Sequence, residues 1–203
     1  MPRLRGVHRL QPALPASVDL RAFDRVEVCG PEQQARSLAR AILCSATAFH
    51  SPEQLQVAVL ASEHNLAHWD WVKWLPHALS SRETDALGPR RMVSTSLDDL
   101  AALLPSDLAD RPRFGADERP ALPHVLLITD GATLPPGNHV IPPDGLHGVT
   151  VVDLPARWDE LTDASRLRLQ LDLPDAETDH GGETHPVLAL RVREEPVRAK
   201  ADQ

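Results

Sequence analysis

Apolar and polar residues along the first 154 positions follow a pattern that predicts strands separated by helices. Short apolar runs bounded by turn-forming residues predict strands at 25–29, 55–60, 91–95, 124–130 and 148–154. Between the first two runs, apolar residues from Ala35 to Phe49 recur at the three- and four-residue spacing of an amphipathic helix. Shorter helices are predicted over 63–74, after a capping Ser62, and near 97–108. Continuous apolar strands separated by helices predict a mostly parallel sheet with helices on both faces.

The C-terminal part has a different pattern. Leucines at 167, 169, 171 and 173 alternate with polar residues, which indicates a half-exposed strand, and 186–193 predicts one more strand that pairs with it. We therefore expect an α/β fold that ends in antiparallel edge strands. The predicted organisation is an N-terminal tail or linker at 1–15, an α/β domain at 16–172, a mobile loop at 173–186, and a terminal strand and tail at 187–203.

Composition narrows the class of protein. The formal net charge of −8 argues against a nucleic-acid-binding domain. No apolar run approaches the roughly 18–20 residues that cross a bilayer, so we expect a soluble fragment without direct membrane insertion. Two cysteines cannot form a disulfide framework. Because Cys29 and Cys44 both fall on apolar stripes, we expect both thiols to be buried and slow to react.

The turn after the first strand is a candidate phosphate-binding loop. The segment 30–37, GPEQQARS, aligns with the pattern G-x-x-x-x-G-K-[ST], keeping Gly30 and Ser37 but placing Ala35 and Arg36 where glycine and lysine are usual. Pro31 and the bulky residues after it oppose the curl with which such a loop surrounds phosphate. The alternative interpretation is an ordinary helix start.

A second half of such a site follows strand 124–130. An apolar strand that ends in Asp130 matches the position of an acid that orients Mg²⁺ in ATPases, but Gly131 stands where a catalytic glutamate is expected. The alternative is a simple turn. The candidate site is therefore a degenerate nucleotide site formed by Gly30, Arg36, Ser37 and Asp130, with ATP and Mg²⁺ as possible ligands and no catalytic residue.

Histidines and tryptophans cluster near residue 70. His64 and His68 have the spacing of a shared helix face and His77 is nearby, but zinc would need further ligands, and the two cysteines fall in strand and helix core patterns. Trp69, Trp71 and Trp74 indicate either a packing unit or a partner surface. We expect Trp74 to lie in the core and one of the other two to face outward.

Five blocks of sequence carry a resemblance to a known family. They are VDLRAFDRVEVCG at 18–30, HSPE at 50–53, WDWVKWLPH at 69–77, LADRPRF at 108–114 and PHVLL at 123–127. In this order they resemble the membrane-proximal cytosolic domain of the EccC family, the FtsK/SpoIIIE-type ATPases of type VII (ESX) secretion systems. The resemblance covers roughly residues 16–172.

The resemblance implies an ATPase-like fold with decayed nucleotide motifs, within a longer, membrane-associated protein of actinobacterial origin that has further ATPase domains. The expected function is non-hydrolysing coupling and assembly between membrane anchor and motor, at the cytoplasmic face of the plasma membrane. The expected partners are the other ATPase domains and secretion subunits, with a hexamer possible in the full system. The alternatives are a weakly active, nucleotide-binding ATPase domain and a docking module for secretion subunits or substrates.

Overall fold

The computed structural model describes residues 17–116, 120–132, 134–135, 137–154, 166–172 and 189–193. The predicted N-terminal tail, the predicted loop at 173–186 and the tail after residue 193 lie outside these residues. The elements in chain order are β1 (Arg25–Cys29), α1 (Glu32–Phe49), β2 (Leu55–Ala61), β3 (Leu79–Asp85), β4 (Gly88–Arg91), β5 (Val93–Ser94), α2 (Leu97–Leu103), β6 (His124–Asp130), β7 (Val149–Leu154), β8 (Arg166–Asp172) and β9 (Ala189–Arg193).

Seven of the strands form one sheet in the order β5-β2-β6-β7-β1-β8-β9, and every pairing except β8 with β9 is parallel. The predicted α/β class with a mostly parallel sheet is confirmed. β6 is buried along its whole length, as a central parallel strand requires. None of the helices in the described part of the chain is long and apolar enough to cross a membrane.

Helical elements cover both faces of this sheet. On one face α1 buries Ala35, Ala39 and Leu43 against β1, β2 and β6. On the other face α2 buries Leu100 and Leu103 against β2, β6 and β7. The predicted helix at 97–108 is too long, because α2 ends at Leu103 ahead of Pro105, and a proline disfavours helical backbone in the residue before it.

The strand predicted at 91–95 is shortened to the two residues of β5, and an unpredicted β-hairpin precedes it. β3 and β4 pair as a separate antiparallel sheet, and only Val93–Ser94 joins the main sheet. The polar composition of the hairpin hid it from the hydrophobic pattern, since most of its residues are exposed. Its base is fixed to α2, because Ser80 Oγ donates to the carbonyl of Leu103 and Arg82 donates to the carbonyl of Ala101.

The C-terminal strands divide into one inner strand and one edge strand. The predicted antiparallel edge is β9, whereas β8 pairs in parallel with β1. Leu167, Leu169 and Leu171 are buried as the alternating pattern requires. Arg168 on the opposite face of β8 is also buried, because its guanidinium pairs with Glu27 of β1.

The three clustered tryptophans have different environments. Leu66–Trp74 is a 3₁₀ helix, in which residues three apart lie on the same side. Trp69 and Val72 are therefore buried together, Trp71 is half-buried, and Trp74 is 79 % exposed. The expectation that Trp74 lies in the core is wrong, because Trp74 lies about 120° around the 3₁₀ helix from the buried side of Trp69 and Val72.

The thiols also differ. Cys29 is buried at the end of β1, and burial raises its pKa to about 11. Cys44 is exposed, so the expectation that both thiols are buried is wrong for this residue. It lies on α1 directly after buried Leu43, about 100° around the helix and outside the core-facing side.

Truncation of the first and the last of the three clustered tryptophans should have very different effects on stability. We expect Trp69→Ala to lower the free energy of unfolding by about 3–5 kcal/mol, because it removes a fully buried indole. We expect Trp74→Ala to change it by no more than about 0.5 kcal/mol, because the side chain is mostly in water. Urea unfolding followed by circular dichroism measures both. Equal losses would contradict the assigned burial.

A buried histidine makes the stability depend on pH. His124 at the start of β6 lies with Nε2 3.1 Å from Thr150 Oγ1, and burial, followed by the charges of Arg21 and Arg111, lowers its pKa from 6.5 to about 4. Between these two pH values the unfolded chain holds a proton on His124 that the folded chain does not. Stability from this group is therefore complete above pH 6.5 and is lost as the pH falls toward 4.

We expect the free energy of unfolding of the parent chain to fall more steeply than that of His124→Gln as the pH is lowered from 6.5 to 4. One extra proton bound on unfolding corresponds to at most about 1.4 kcal/mol per pH unit. Urea titrations at several pH values measure the difference. Identical slopes for the two proteins would show that His124 does not control acid stability.

Candidate functional site

The predicted nucleotide site lies where β1 and β6 end. Gly30 follows β1 with a φ of +144°, and a Cβ at this position would lie 2.7 Å from the Cβ of Leu171 in β8. Only glycine therefore fits the turn that leads into α1. Pro31 is the N-cap of α1 and makes no side-chain capping bond, and its carbonyl accepts from the amide of Ala35.

Arg36 and Asp130 form an ion pair between the two halves of the predicted site. Arg36 projects from the second turn of α1 and donates from Nε to Asp130 Oδ2 at 2.8 Å, with a longer contact of 3.5 Å from Nη2 to Oδ1. Both residues are buried. The hydrogen bond to Asp130 raises the pKa of Arg36 above its ordinary value, against the opposing effect of burial. The Arg36 guanidinium therefore stays charged at any physiological pH.

Two residues of the segment 62–74 complete the cluster. Asn65 donates from Nδ2 to Asp130 Oδ1 at 2.8 Å, and its own Oδ1 accepts from Arg36 Nη2 at 3.0 Å. Trp69 donates from Nε1 to Asp130 Oδ2 at 2.9 Å. We call Arg36, Asn65, Trp69 and Asp130 the Asp130 cluster. Its four side chains are buried and hydrogen-bonded to one another, which a buried charge requires.

Gly131 closes the position that a catalytic carboxylate would occupy. Its φ of +67° is in the left-handed region, and a Cβ there would lie 2.6 Å from Asn65 Nδ2 and 2.9 Å from Ser62 Oγ. A side chain at 131 would therefore force the side chains of Asn65 and Ser62 to shift. Glycine thus stands where a catalytic glutamate is expected, and Asn65 and Ser62 occupy the space beside it.

The arrangement does not fit ATP with Mg²⁺. Both carboxylate oxygens of Asp130 already accept hydrogen bonds, and the guanidinium of Arg36 lies where a cation would contact this carboxylate. Ser37, predicted as a member of the nucleotide site, is exposed and donates to the carbonyl of Gln33 within its own helix. Glu32 adds a carboxylate that pairs with Arg36. The structure thus joins Arg36 and Asp130 directly, and Gly30 shapes the turn. Ser37 contacts neither of them, because its hydroxyl bonds to its own helix.

The histidines do not form a metal centre in the described part of the chain. His64 and His68 are exposed, and among the residues that the structure describes no group of three or more His, Cys, Asp or Glu could hold a metal ion. His77 is buried with Nε2 2.8 Å from the carbonyl of His50. That contact ties the chain after the 3₁₀ helix to the end of α1.

Two members of the cluster were not predicted as site residues. Asn65 carried no sequence signal, and Trp69 was assigned only to packing or a partner surface. The one sequence cue is the position of this segment directly after β2, because loops that follow parallel strands meet at the same edge of the sheet. The structure brings Trp69 to Asp130 through its indole nitrogen, which a hydrophobic pattern cannot predict.

The fold and the site define a parallel α/β domain whose phosphate-loop position is held by an internal ion pair. No family model matches the chain. The chain is 37 % identical over 169 residues to the ESX secretion system protein EccC of Thermomonospora curvata, covering 83 % of this chain and 13 % of that protein. It is 40 % identical over 139 residues to the ESX-3 secretion system protein EccC3 of Mycobacterium tuberculosis, covering 68 % of this chain and 10 % of the relative.

A third relative is the ESX-1 secretion system protein EccCa1 of Mycobacterium tuberculosis, 37 % identical over 147 residues, which are 72 % of this chain and 18 % of that protein. The chain therefore belongs to the EccC family of ESX secretion systems and corresponds to a domain of these proteins. It spans less than a fifth of the length of these relatives. The predicted family is confirmed.

Substitution of Gly131 tests the closed geometry. We expect Gly131→Ala to lower the free energy of unfolding by at least about 1 kcal/mol more than Gly115→Ala. Both glycines have a left-handed φ, +67° and +76°, but only at Gly131 does a Cβ meet neighbouring atoms. Gly115→Ala is thus a matched control for backbone strain alone. Equal losses in urea unfolding would show that Asn65 and Ser62 do not fill this space.

Proposed function

We propose that the domain is a non-hydrolysing, ATPase-like coupling and assembly domain of a type VII secretion motor. In this role it links a membrane anchor to the ATPase domains of the same protein at the cytoplasmic face of the plasma membrane. Its partners are those domains and other secretion subunits, within a motor that can form a hexamer. The relatives, which are named as EccC proteins of ESX systems, support the secretion role.

The observation that carries the non-hydrolysing part is the engagement of Asp130. An ATPase needs this carboxylate free to organise Mg²⁺, and it needs a second group to orient water. Here Arg36, Asn65 and Trp69 all donate to Asp130, and Gly131 follows it. Arginine also presents a planar fork rather than the compact ammonium that lysine gives to phosphate. A domain of this kind transmits force or position rather than chemical energy.

A second candidate, a docking module for secretion subunits or substrates, has its own observation. Trp74 is 79 % exposed and Leu87 at the tip of the β3–β4 hairpin is 98 % exposed. Tryptophan is enriched among the residues that dominate binding energy at protein interfaces. Docking and coupling are compatible, because a coupling domain must contact its neighbours.

We expect the 203-residue chain to bind and hydrolyse no ATP. Isothermal titration with ATP and Mg²⁺ up to about 1 mM, where ordinary nucleotide-dependent enzymes saturate, should give no saturable heat. Phosphate release should equal that of buffer. Saturable binding, or turnover that Asp130→Asn abolishes, would instead support the weakly active ATPase.

The coupling role is tested in the longer EccC protein to which the domain corresponds. With Asp130→Asn in this domain, we expect secretion to fall while ATP hydrolysis by the remaining domains continues. A parallel loss of both activities would place Asp130 in the hydrolytic cycle and contradict the proposal.

A further inference from the structure

We propose that the Asp130 cluster is a latch that fastens the segment 62–74 to the sheet, so that residues at nucleotide-site positions fix a surface segment rather than hold a ligand. This proposal deepens the proposed function and rests on it, because a carboxylate that served ATP could not serve as a permanent anchor. Asn65 and Trp69 are then positioning residues. Their role is to hold the segment on Asp130.

Hydrogen bonds from Ser62, Asn65 and Trp69 converge on one strand end, while Arg40 of α1 donates separately to the carbonyl of His68 at 3.1 Å. The amide of Ser62 donates to the backbone carbonyl of Asp130 at 2.9 Å, and Asn65 and Trp69 both donate to its carboxylate. A single residue at the end of β6 therefore accepts from three residues of the segment. Arg36 neutralises the charge of the Asp130 carboxylate that accepts these hydrogen bonds, and it also donates to Asn65.

The segment depends on such an anchor because of its own conformation. Leu66–Trp74 is a 3₁₀ helix of nine residues, whereas 3₁₀ runs beyond three or four residues are uncommon because their hydrogen-bond geometry is poor. Its buried side chains are Trp69 and Val72. The indole nitrogen of Trp69, which apolar surroundings would leave unsatisfied, is satisfied by Asp130. The latch therefore accounts for the buried polar atom and anchors a 3₁₀ helix of unusual length.

The far end of the same segment carries the exposed tryptophan. Lys73 Nζ lies 5.5 Å from the centre of the Trp74 ring, and residues 75–78 lead from there to the hairpin. An anchored segment presents Trp74 in one place, and a released segment does not. The hydrogen bonds to Asp130 therefore fix the position at which Trp74 would meet a partner, because only the 3₁₀ helix from residue 70 to 74 separates Trp74 from Trp69.

Hydrogen exchange of the 203-residue chain tests the latch. We expect Asp130→Asn to accelerate amide exchange at 66–75 at least tenfold, with a smaller change in β1 and α1. Glu27→Gln is the matched control, because it disrupts a second ion pair, between half-buried Glu27 and buried Arg168, elsewhere in the sheet. In Glu27→Gln, the change in exchange rate at 66–75 should differ by no more than about twofold from the change in the rest of the chain. Equal effects of both variants at 66–75 would overturn the proposal.

A milder variant protects the test against misfolding. Trp69→Phe keeps most of the side-chain volume and removes only the donor to Asp130, so it should also accelerate exchange at 66–75 selectively, by at least threefold. Unchanged exchange at 66–75 in Trp69→Phe would overturn the latch even if Asp130→Asn does not fold. Neither result depends on ATP. If the chain binds ATP without hydrolysing it and still shows the selective acceleration, the proposal that the nucleotide site is closed fails. The proposal that Asp130 anchors the segment then still holds.

Discussion

The structure depends on the neutralisation of one buried carboxylate. Asp130 ends the most buried strand of the sheet and is itself buried, so its charge must be paired. An unpaired charge in such a place costs several kcal/mol, and removing one partner of a buried pair typically costs about 3–5 kcal/mol. Arg36, Asn65 and Trp69 meet this requirement together. Helix α1, strand β6 and the 3₁₀ segment are consequently joined at a single point.

The parallel sheet explains why these elements meet there. β7 lies between β1 and β6, so the side chain of Arg36 reaches from the helix after β1 across that strand to Asp130. The segment after β2 arrives at the same edge, because β2 pairs in parallel with β6 along its whole length. Loops that follow parallel strands gather at one edge of a sheet, which is also where such folds bind ligands. The geometry that serves a ligand site in other proteins here serves an internal contact.

The elements with strong periodicity could be predicted from the sequence, and those that depend on tertiary contacts could not. β1, α1, β2, β6 and β7 follow from apolar patterns, within about one residue at their ends. The β3–β4 hairpin is polar and exposed, so no hydrophobic pattern marks it. Arg36 and Asp130 were predicted as site residues from motif positions. The direct pairing of Arg36 with Asp130, and the hydrogen bonds that Asn65 and Trp69 donate to Asp130, could not be predicted. Such contacts depend on which side chains the fold brings together.

The tight fit around Gly131 has an evolutionary consequence. Nucleotide chemistry at this site would need a lysine in place of Arg36, a carboxylate at 131, and withdrawal of Asn65 and Trp69 from Asp130. Each change alone disrupts a buried contact and gains nothing, because the others still fill the space. Intermediates would therefore be less stable and still inactive. Single substitutions at this site therefore destabilise the fold before they could create catalysis.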